Sequence, residues 1–453
     1  MSEQTSTWKF PRAFWTANSA ELCERAAYYG TFIALRTYLI RVVGLDDIQA
    51  GFIAGMFGGW IYLVPFFTGA TADRIGFRKA LMLAFALLTI GYGTLGMFHT
   101  LIPVLIGLAL VVLGGAFVKP VITGTVSKTS DEANRARAFS IFYMVVNIGS
   151  FTGKTVVAPM RIEMGVATVP YFSSGAALLA LFLVALLYFP PDDAESKPKD
   201  LREILGGMWM AMSNLRFLAL ILITAGFWAI QGQLYASMPD YVLRMAGETY
   251  KPEWYANVNP LVVVLFVVMI TQMVKSWQPQ NSIMVAMCMI PLSSLCMAMS
   301  AYVDGMINIF GNPVHPITVL MVIGIAIQGL AECFLSPKYL EYASRQAPKG
   351  KEGIFLGFAH VNTFFAWIFG FTFSGFLLKK WCPEPKTLTP AVQAEHAAAL
   401  AGKGPMPAAY SRAHYLWFAY TIVGVISLAA LIVYNLATRK MDAGKEAEAE
   451  SEE

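Results

Sequence analysis

Two carboxylates, a guanidinium and two phenols lie close together in a segment that is otherwise apolar. They are Glu21, Glu24, Arg25, Tyr28 and Tyr29. On a helix, residues three or four positions apart share a face, so Glu21, Arg25 and Tyr28 should form one polar stripe. A carboxylate can exchange a proton against its salt bridge with arginine, which links protonation to conformation. The segment therefore predicts a polar pathway through a membrane, with a simple ion-pair contact between two helices as the structural alternative.

Four more polar residues interrupt apolar segments later in the chain. Lys119 supplies a mobile positive charge that is hard to explain structurally, and Glu332 is the one carboxylate in the middle of an apolar segment of the second half. Asn147 and Asn259 can hydrogen-bond a ligand, although asparagine also joins helices within membranes. Glu332 also has a structural interpretation, in which its carboxylate binds the terminus of a neighbouring helix. Because intramembrane charges are costly and usually functional, we expect these residues to share one site with Arg25.

The elements that must position these residues are membrane-spanning helices. Of the 453 residues, 57% are hydrophobic and 14% are charged, whereas about a quarter of the residues in a soluble domain are charged. The net charge of +4 is small and dispersed, which argues against a nucleic-acid partner. Apolar runs of about 20 residues are long enough to cross a bilayer. Twelve such runs are found, at 14–39, 48–70, 80–98, 101–125, 138–160, 168–189, 217–239, 256–274, 282–302, 316–340, 353–378 and 413–436.

A charged, proline-bearing linker divides the predicted spans into two sets of six. It begins at Pro190 and ends in an amphipathic segment, Leu201–Met212. The acidic C-terminal tail is low in complexity and is expected to be disordered. The predicted units are an N-terminal six-helix bundle (1–190), a cytoplasmic linker (191–214), a C-terminal six-helix bundle (215–438) and the tail (439–453).

Lysine and arginine are enriched in the tails and loops on one side of the predicted membrane spans, the side on which the N-terminus lies. This bias marks the cytoplasmic side, so we expect a multi-pass protein of the cell membrane with both termini in the cytoplasm. The first apolar run contains Glu and Arg and is not a cleavable signal peptide. The chain has no P-loop, no metal-like cysteine or histidine spacing and no nucleophile with a paired base. These features argue against an enzyme, ATP-driven transport and a metal site, and no cofactor is expected beyond the proton as coupling ion.

The loop between the second and third spans combines a glycine turn with charged residues. It reads Gly69-Ala-Thr-Ala-Asp73-Arg74-Ile-Gly76-Phe-Arg78-Lys79. Together with the two sets of six spans, this loop resembles the signature of the major facilitator superfamily. The resemblance implies an all-α membrane protein with the major facilitator fold, twelve transmembrane helices in two six-helix bundles. Asp73 and Arg74 are expected to gate by latching cytoplasmic helix ends in one state; a plain positive-inside loop is the alternative.

Six stretches in the same order resemble the proton-coupled oligopeptide transporter family of that superfamily. Each would be weak alone, but together they extend over about residues 14 to 375. Tyr62, upstream of Asp73, also falls where the family has a binding tyrosine. The stretches are ExxERxxYYG from Glu21 to Gly30, the Gly-rich run Gly114 to Lys119-Pro120, Phe142-Tyr143 to Asn147-Ile-Gly149-Ser150, Phe227-Trp228, Asn259-Pro260, and Glu332 to Ser336-Pro337.

The resemblance implies a role for each of these polar residues. Arg25 and Lys119 are expected near the carboxylate of a peptide, to which arginine can offer a bidentate fork. Glu332 is assigned to the amino end of the peptide. Proton coupling is expected from Glu21, Glu24, Arg25 and Lys119. The expected substrate-binding residues, with the aromatic ones as walls of side-chain pockets, are Arg25, Tyr28, Tyr29, Tyr62, Lys119, Asn147, Trp228, Asn259, Glu332 and Ser336.

Two charged positions of the family pattern are missing from this chain. The family usually has a second arginine two residues after the YYG sequence, where this chain has Phe32. The usual glutamate of span seven is replaced by Gly232. Loss of both is physically coherent, because removing one would leave a buried charge unpaired at a cost of about 3–5 kcal/mol. Since the family's glutamate takes part in proton coupling, coupling here must depend on the remaining carboxylates or be altered.

Three other charged residues are candidates to compensate for this loss. Arg36 and Asp240 lie one and two helical turns closer to the outer surface than the missing pair, and we predict that they form a displaced outer gate. Pairing of Arg36 with Asp46 or Asp47 is an alternative that the sequence leaves open. Lys154 could add positive charge to the cavity, but we favour the interpretation that it snorkels to the outer interface.

These observations predict a proton-coupled symporter that imports di- and tripeptides by alternating access. One alternative is a major facilitator transporter of another small organic anion, zwitterion or drug-like compound with altered proton coupling, which the lost charged pair would favour. A non-transporting membrane receptor is a weaker alternative, because a receptor need not keep Arg25, Lys119 and Glu332 within the membrane. The expected partners are a small peptide, protons and the lipid bilayer, with no nucleic acid, and the protein is expected to function as a monomer.

Overall fold

The structure is a computed structural model, and it describes residues 9–190, 201–348 and 351–452. Almost all of these residues are helical. The charged part of the predicted linker, 191–200, lies outside the described residues. Its amphipathic end is the helix Leu201–Ser213.

The helices of the first half begin and end where the local sequence gives a reason. Asp46 starts the second span with a capping box, in which its carboxylate accepts from the backbone N–H groups of Ile48 and Gln49. Pro65 then interrupts this span, and the next helix leaves at an angle of 48°. Gly76 ends that helix with a φ of +86°, which glycine adopts most readily. The helices are α1 (Arg12–Arg41), α2 (Asp47–Leu63), α3 (Pro65–Ile75), α4 (Phe77–Met97), α5 (Leu101–Lys128), α6 (Arg135–Met164) and α7 (Val169–Leu187).

The second half also provides six spans. Two of them, the seventh and the eleventh of the whole chain, are broken. Asn214 caps the start of the seventh span by accepting from the Phe217 N–H. A 3-10 turn, Gly232–Leu234, interrupts this span before it resumes. The elements are α8 (Leu201–Ser213), α9 (Leu215–Gln231), α10 (Met238–Met245), α11 (Pro252–Tyr255), α12 (Val258–Met273), α13 (Pro279–Ala298), an antiparallel hairpin of β1 (Ile307–Ile309) and β2 (Asn312–Val314) with Ile307 opposite Val314, α14 (Pro316–Gln346), α15 (Glu352–Ala359), α16 (Val361–Trp381), α17 (Pro390–Leu400) and α18 (Tyr415–Glu452).

Each of the twelve predicted apolar runs lies on one of these helices or on a broken pair. Ten described segments are long and apolar enough to cross a membrane, and the bent pair α2–α3 is an eleventh. α1 has 30 residues, a length of about 45 Å, and we assign it as the twelfth, although its charged residues make it less apolar. Large side chains such as Ile102, Leu186 and Phe369 are exposed on the outside, as a lipid-facing surface requires.

Chain connectivity distinguishes two faces of the structure. We call the side where α1 begins and α8 lies the proximal face, and the opposite side, where α1 ends at Arg41, the distal face. In the first half α1 packs against α6 and α7, and α4 packs against α5 and α7. In the second half α13 packs against α14 and α18, and α9 packs against α16 and α18. The halves meet mainly along α2 and α16.

Glycines allow α2 and α16 to approach each other closely. A Cβ atom on Gly55 would lie 2.7 Å from the carbonyl oxygen of Trp367, and one on Gly51 would overlap the carbonyl oxygen of Phe371. Small residues four positions apart are typical of tight helix contacts in membranes. The contact between the halves therefore depends on the absence of side chains at these positions.

The acidic tail continues the last helix. α18 extends beyond the last span as far as Glu452. The tail is rich in Ala and Glu, which are strong helix formers. A composition that cannot build a packed core can still extend an existing helix, and the expectation of disorder at 439–453 stays a prediction.

Candidate functional site

A cavity of about 380 Å³ lies between the two halves, and this volume is within the range of sites for small ligands. Helices α1, α2, α5 and α6 contribute to it from the first half, and α9, α12, α14 and α16 from the second. Eight of the ten predicted substrate-binding residues line this cavity: Tyr29, Tyr62, Lys119, Asn147, Trp228, Asn259, Glu332 and Ser336. The structure does not place the other two, Arg25 and Tyr28, in the cavity wall.

Two amides hold Glu332 at one wall of the cavity. Its Oε2 accepts from Gln231 Nε2 at 2.9 Å and from Asn259 Nδ2 at 3.3 Å. Among the described residues, no cationic side chain lies within the 4.0 Å that defines an ion pair with this carboxylate. The amides orient the carboxylate but leave its charge uncompensated, so this wall suits a positively charged group such as an ammonium.

Arg25 is enclosed by the two acids of its own helix. Its Nε lies 3.1 Å from Glu21 Oε1, and Glu24 is in direct ion-pair contact with it as well. Both carboxylates are buried. Glu24 faces α5, where a Cβ atom on Gly115 would lie 3.8 Å from its Oε1. The guanidinium is therefore paired with carboxylates of its own helix and does not line the cavity.

Tyr28 belongs to the core of the first half. It is 4% exposed, and its ring stacks on those of Phe32 and Phe57 with centroids 5.4 and 6.0 Å apart. The prediction that Tyr28 forms a wall of the cavity is wrong, because its position on α1 turns it toward α2. Its neighbour Tyr29 faces the cavity instead.

Lys119 and Asn147 approach the cavity from the first half. Lys119 is exposed there, although the residues that precede it on α5 are buried. It lies within electrostatic range of Arg25, Glu21 and Glu24. Asn147 Nδ2 donates to the carbonyl of Tyr143 at 2.8 Å, which leaves its amide oxygen available to a ligand. One side of the cavity thus offers a cation and the other, at Glu332, an anion.

An aromatic stack occupies the place of the missing charged pair. Phe32 stacks on Trp367 with the ring centroids 5.0 Å apart and the planes 12° apart, and it also contacts Tyr235 at 4.9 Å. A Cβ atom on Gly232 would lie 3.2 Å from the Phe371 ring and 3.4 Å from Trp367. The absence of a side chain at Gly232 therefore makes room for rings that meet Phe32 from the other half. Both replacements close the distal end of the cavity with apolar surface.

A buried network of five charged residues, which we call the distal lock, lies beyond this stack. Arg36 donates to Asp240 Oδ2 at 2.6 Å and to Asp47 Oδ1 at 2.9 Å. Arg244 donates to the same Asp47 oxygen at 2.9 Å and to Glu384 Oε2 at 3.0 Å. All five side chains are at most 5% exposed. Arg36 therefore contacts both Asp240 and Asp47, the two partners between which the sequence could not decide.

Asp46, the remaining alternative partner of Arg36, lies outside the distal lock. Its carboxylate caps α2 and pairs with Lys379 at 3.0 Å on the surface. Two further arginines form ion pairs between the halves at the distal face. Arg161 contacts Glu253 at 2.5 Å and Glu248 at 3.7 Å, and Arg41 contacts Glu248 at 2.8 Å and Glu384 at 3.3 Å.

Lys154 does not reach the outer interface. It is fully buried, and its Nζ donates to the carbonyl of Ala256 in the other half at 3.2 Å. The rings of Tyr29 and Tyr235 lie 5.6 and 6.0 Å from the ammonium, and the residue belongs to the cavity wall. The prediction that Lys154 snorkels is wrong, because this face of α6 is turned toward the second half and not toward lipid.

The proximal face shows no comparable closure. Asp73 and Arg74 are exposed, and neither forms an ion pair with any residue that the structure describes. Every described ion pair that joins the two halves lies at the distal face. The structure therefore represents a state in which the distal face is closed. The predicted latch of Asp73 and Arg74 is not engaged in this state and stays a prediction.

Five residues of the cavity and the distal lock were not predicted from the sequence. Gln231, Tyr235 and Trp367 line the cavity, and Arg244 and Glu384 complete the distal lock. Arg244 follows Asp240 by four residues, a spacing that predicts a shared helical face once α10 is recognised as part of the seventh span. For Gln231, Tyr235, Trp367 and Glu384, local sequence carries no comparable signal.

Comparison with known proteins gives matches to a family model and to named peptide transporters. Residues 19–371 match the family model described as Major Facilitator Superfamily. The chain is 24% identical over 239 residues to dipeptide and tripeptide permease A of Erwinia pyrifoliae, which covers 51% of this chain and 47% of that protein. It is 31% identical over 206 residues to the di-/tripeptide transporter of Lactococcus lactis subsp. cremoris, covering 42% and 41%. The chain matches about half the length of these curated relatives.

Solved structures are similar along nearly the whole chain. A crystal structure of peptide transporter POT in complex with sulfate superposes with a TM-score of 0.69 at 20% identity, covering 95% of this chain and 96% of that one. A POT family transporter in complex with a thioalcohol-conjugated peptide gives 0.71 at 17% identity, covering 96% and 98%. This likeness confirms the predicted fold, and the names of the relatives confirm the resemblance to peptide transporters.

Proposed function

The chain belongs to the Major Facilitator Superfamily, and we propose that it is a proton-coupled symporter that imports di- and tripeptides by alternating access. The family match also confirms that it is a transporter-family protein and not an enzyme. The observation that carries the proposal is the cavity between the halves, in which Lys119 and the amide-held Glu332 present opposite charges. The peptide-transporter relatives support the same substrate class.

A short zwitterionic peptide matches this arrangement. Its ammonium would take the place next to Glu332 and the free amide oxygen of Asn147, and its carboxylate would turn to Lys119 and Arg25. Tyr29, together with Tyr62 and Trp228 of the same cavity, offers apolar surface that accepts side chains of different shapes. Binding at the interface lets the peptide contact both halves at once, as alternating access requires.

Proton coupling follows from the competition for Arg25. Its guanidinium is paired with both Glu21 and Glu24, so a substrate carboxylate must displace one of them. Protonation of Glu24 would remove that acid as a competitor and free hydrogen-bond donors of Arg25 for the substrate. A proton and a peptide carboxylate then bind more tightly together than either does alone.

The distal lock explains how the distal face can open without leaving either arginine unpaired. When the halves separate, Arg36 loses Asp240 but keeps Asp47, a residue of its own half. Arg244 loses Asp47 but keeps Glu384, also in its own half. An unpaired buried charge costs about 3–5 kcal/mol, and this arrangement avoids that cost for both arginines, whereas Asp240 gives up its contacts with Arg36 and Thr37. The same reasoning makes Arg36 and Asp240 the gating residues of the distal face.

The experiment that tests the proposal is uptake driven by a pH gradient in proteoliposomes. Wild type should accumulate labelled dialanine when the outside is acidic, and Lys119→Ala and Glu24→Gln should abolish this accumulation. Lys338→Ala is the matched control, because Lys338 is buried but bonds Glu341 and backbone carbonyls outside the cavity. Unchanged uptake in both test variants would refute the mechanism. If a panel of di- and tripeptides neither enters nor competes, the cargo would be another small anion or zwitterion.

The proposal extends to the setting of the protein. The enrichment of basic residues on the proximal side supports a cell membrane protein with both termini in the cytoplasm. A single chain contributes every wall of the cavity, which supports function as a monomer. The proton is proposed as the only coupling ion. An N-terminal tag that antibodies reach in intact cells would contradict the orientation.

A further inference from the structure

Lys154 is a buried cation without a carboxylate partner. An ammonium has three donors, and the structure shows one hydrogen bond, to the Ala256 carbonyl at 3.2 Å. No carboxylate of the described residues lies within 4.0 Å of its Nζ. Lys119, by contrast, lies within electrostatic range of Glu21 and Glu24. Lys154 is therefore the cavity residue whose charge most lacks compensation.

The position of Lys154 separates it from the expected site of the peptide carboxylate. Glu24 lies level with Gly115 of α5, and Arg25 lies level with Gly149 of α6. Counting about 1.5 Å per residue along these helices places Lys154 roughly 15 Å from Lys119 along the bundle axis. The two ammonium groups do not lie within electrostatic range of each other, so they form separate sites. Lys154 is thus available to a second anionic group of the same substrate.

The hydrogen bond of Lys154 joins the two halves at the closed distal face. Ala256 belongs to the second half and lies beside Asn257, whose amide reaches Thr155 Oγ1 of α6 at 3.0 Å. Both contacts join the halves in the closed state. When the halves separate there, the carbonyl would leave and the ammonium would face the open cavity. An anion that enters from the distal side would then meet a cation that pairs with no carboxylate of the described residues.

We propose that Lys154 binds a second carboxylate of the substrate, such as an acidic side chain, and so gives the transporter a preference for acidic peptides. The ammonium exchanges the Ala256 carbonyl of the closed state for this carboxylate in the open state. This inference rests on the proposed peptide transport and names the substrate class that the cavity favours.

Competition in cells that express the full chain tests this inference. Uptake of labelled Ala-Ala is inhibited with Ala-Glu or Ala-Gln, two peptides of the same shape that differ in one charge. Wild type should bind Ala-Glu more tightly, and Lys154→Gln should reduce the ratio of the two inhibition constants roughly tenfold, the size of one charge-assisted hydrogen bond. Glutamine can still donate to the Ala256 carbonyl, so this variant removes the charge and keeps the contact.

Two controls make the result decisive. Lys338→Gln, outside the cavity, should keep the wild-type ratio, and Lys154→Met gives the same comparison if the glutamine variant does not reach the membrane. An unchanged ratio in the Lys154 variants, or equal weakening of all three peptides, overturns the inference while peptide transport stands. Absence of Ala-Ala uptake in wild type would instead refute the proposed function, and this inference with it.

Discussion

Replacing Asp240 with asparagine should shift the protein toward the state with an open distal face. Asp240 is the residue of the second half to which Arg36 donates at 2.6 Å, and both side chains are at most 2% exposed. The substitution keeps the shape of the side chain and its contact with Thr37, which donates to Asp240 Oδ1 at 2.7 Å. It replaces the Oδ2 atom that accepts from Arg36 with an NH2 group, so it removes the charge together with this one hydrogen bond. Arg36 keeps Asp47 at 2.9 Å, so the variant should fold.

The magnitude follows from the loss of one charge-assisted contact between the halves. Such a hydrogen bond contributes about 1.5–3 kcal/mol, and each 1.4 kcal/mol corresponds to about a factor of ten in a population ratio. The ratio of open to closed molecules should therefore rise about 10- to 100-fold. Adding Asp47→Asn weakens the bond that Arg244 makes across the halves and also takes the second carboxylate from Arg36, so it should raise the ratio at least by a similar factor again.

Pulsed electron spin resonance can measure this ratio directly. Spin labels at Thr100 and Asp304 report the distance between the halves at the distal face, since both residues are exposed there. The five native cysteines are replaced first. Wild type should show mainly the short distance of the closed state, and each substitution should increase the share of the longer distance.

The matched control is Lys379→Met, which breaks the exposed pair with Asp46 at the same interface. Surface ion pairs contribute less than about 1 kcal/mol, so this variant should resemble wild type. If the double variant Asp47→Asn/Asp240→Asn folds and shows the wild-type distance distribution, the distal lock does not hold the halves together. If Lys379→Met opens the protein as far, burial is not the reason for the strength of the lock.

Three further substitutions test other parts of the structure. Phe32→Ala should lower stability by about 3 kcal/mol or more, because it removes the stack on Trp367; the melting temperature of purified protein measures this, and an unchanged value contradicts it. Gly55→Leu should lengthen the Thr100–Asp304 distance, because its side chain would meet the Trp367 carbonyl, whereas Gly175→Leu, with open space around it, should not. Glu332→Gln should reduce, roughly tenfold, the preference for a free amino group over an N-acetylated dipeptide in competition assays; an unchanged preference would place the amino end elsewhere.

Much of the fold and of the site could be predicted from the sequence. Apolar runs long enough to cross a bilayer identify spans whatever their partners are, because each span must satisfy its backbone hydrogen bonds by itself. Charged and amide residues within such runs stand out for the same reason, since lipid makes them costly. Lys119, Asn147, Asn259 and Glu332 were found in this way, and the structure places all four around one cavity.

Rotation of the helices and most contacts between the halves could not be predicted. Tyr28 and Tyr29 are neighbours in sequence, yet one packs in the core and the other lines the cavity. The sequence favours snorkelling for Lys154, because its partner, the Ala256 carbonyl, belongs to the other half.

Because hydropathy is a local property, the sequence alone identifies the residues that carry charge into the membrane. The partners of those charges depend on the tertiary structure. Arg36 pairs with Asp240 across 204 positions of the chain as well as with the nearby Asp47, and Phe32 stacks on Trp367 of the other half. Such contacts depend on how the two halves meet, and local periodicity along one helix carries no information about its distant neighbour.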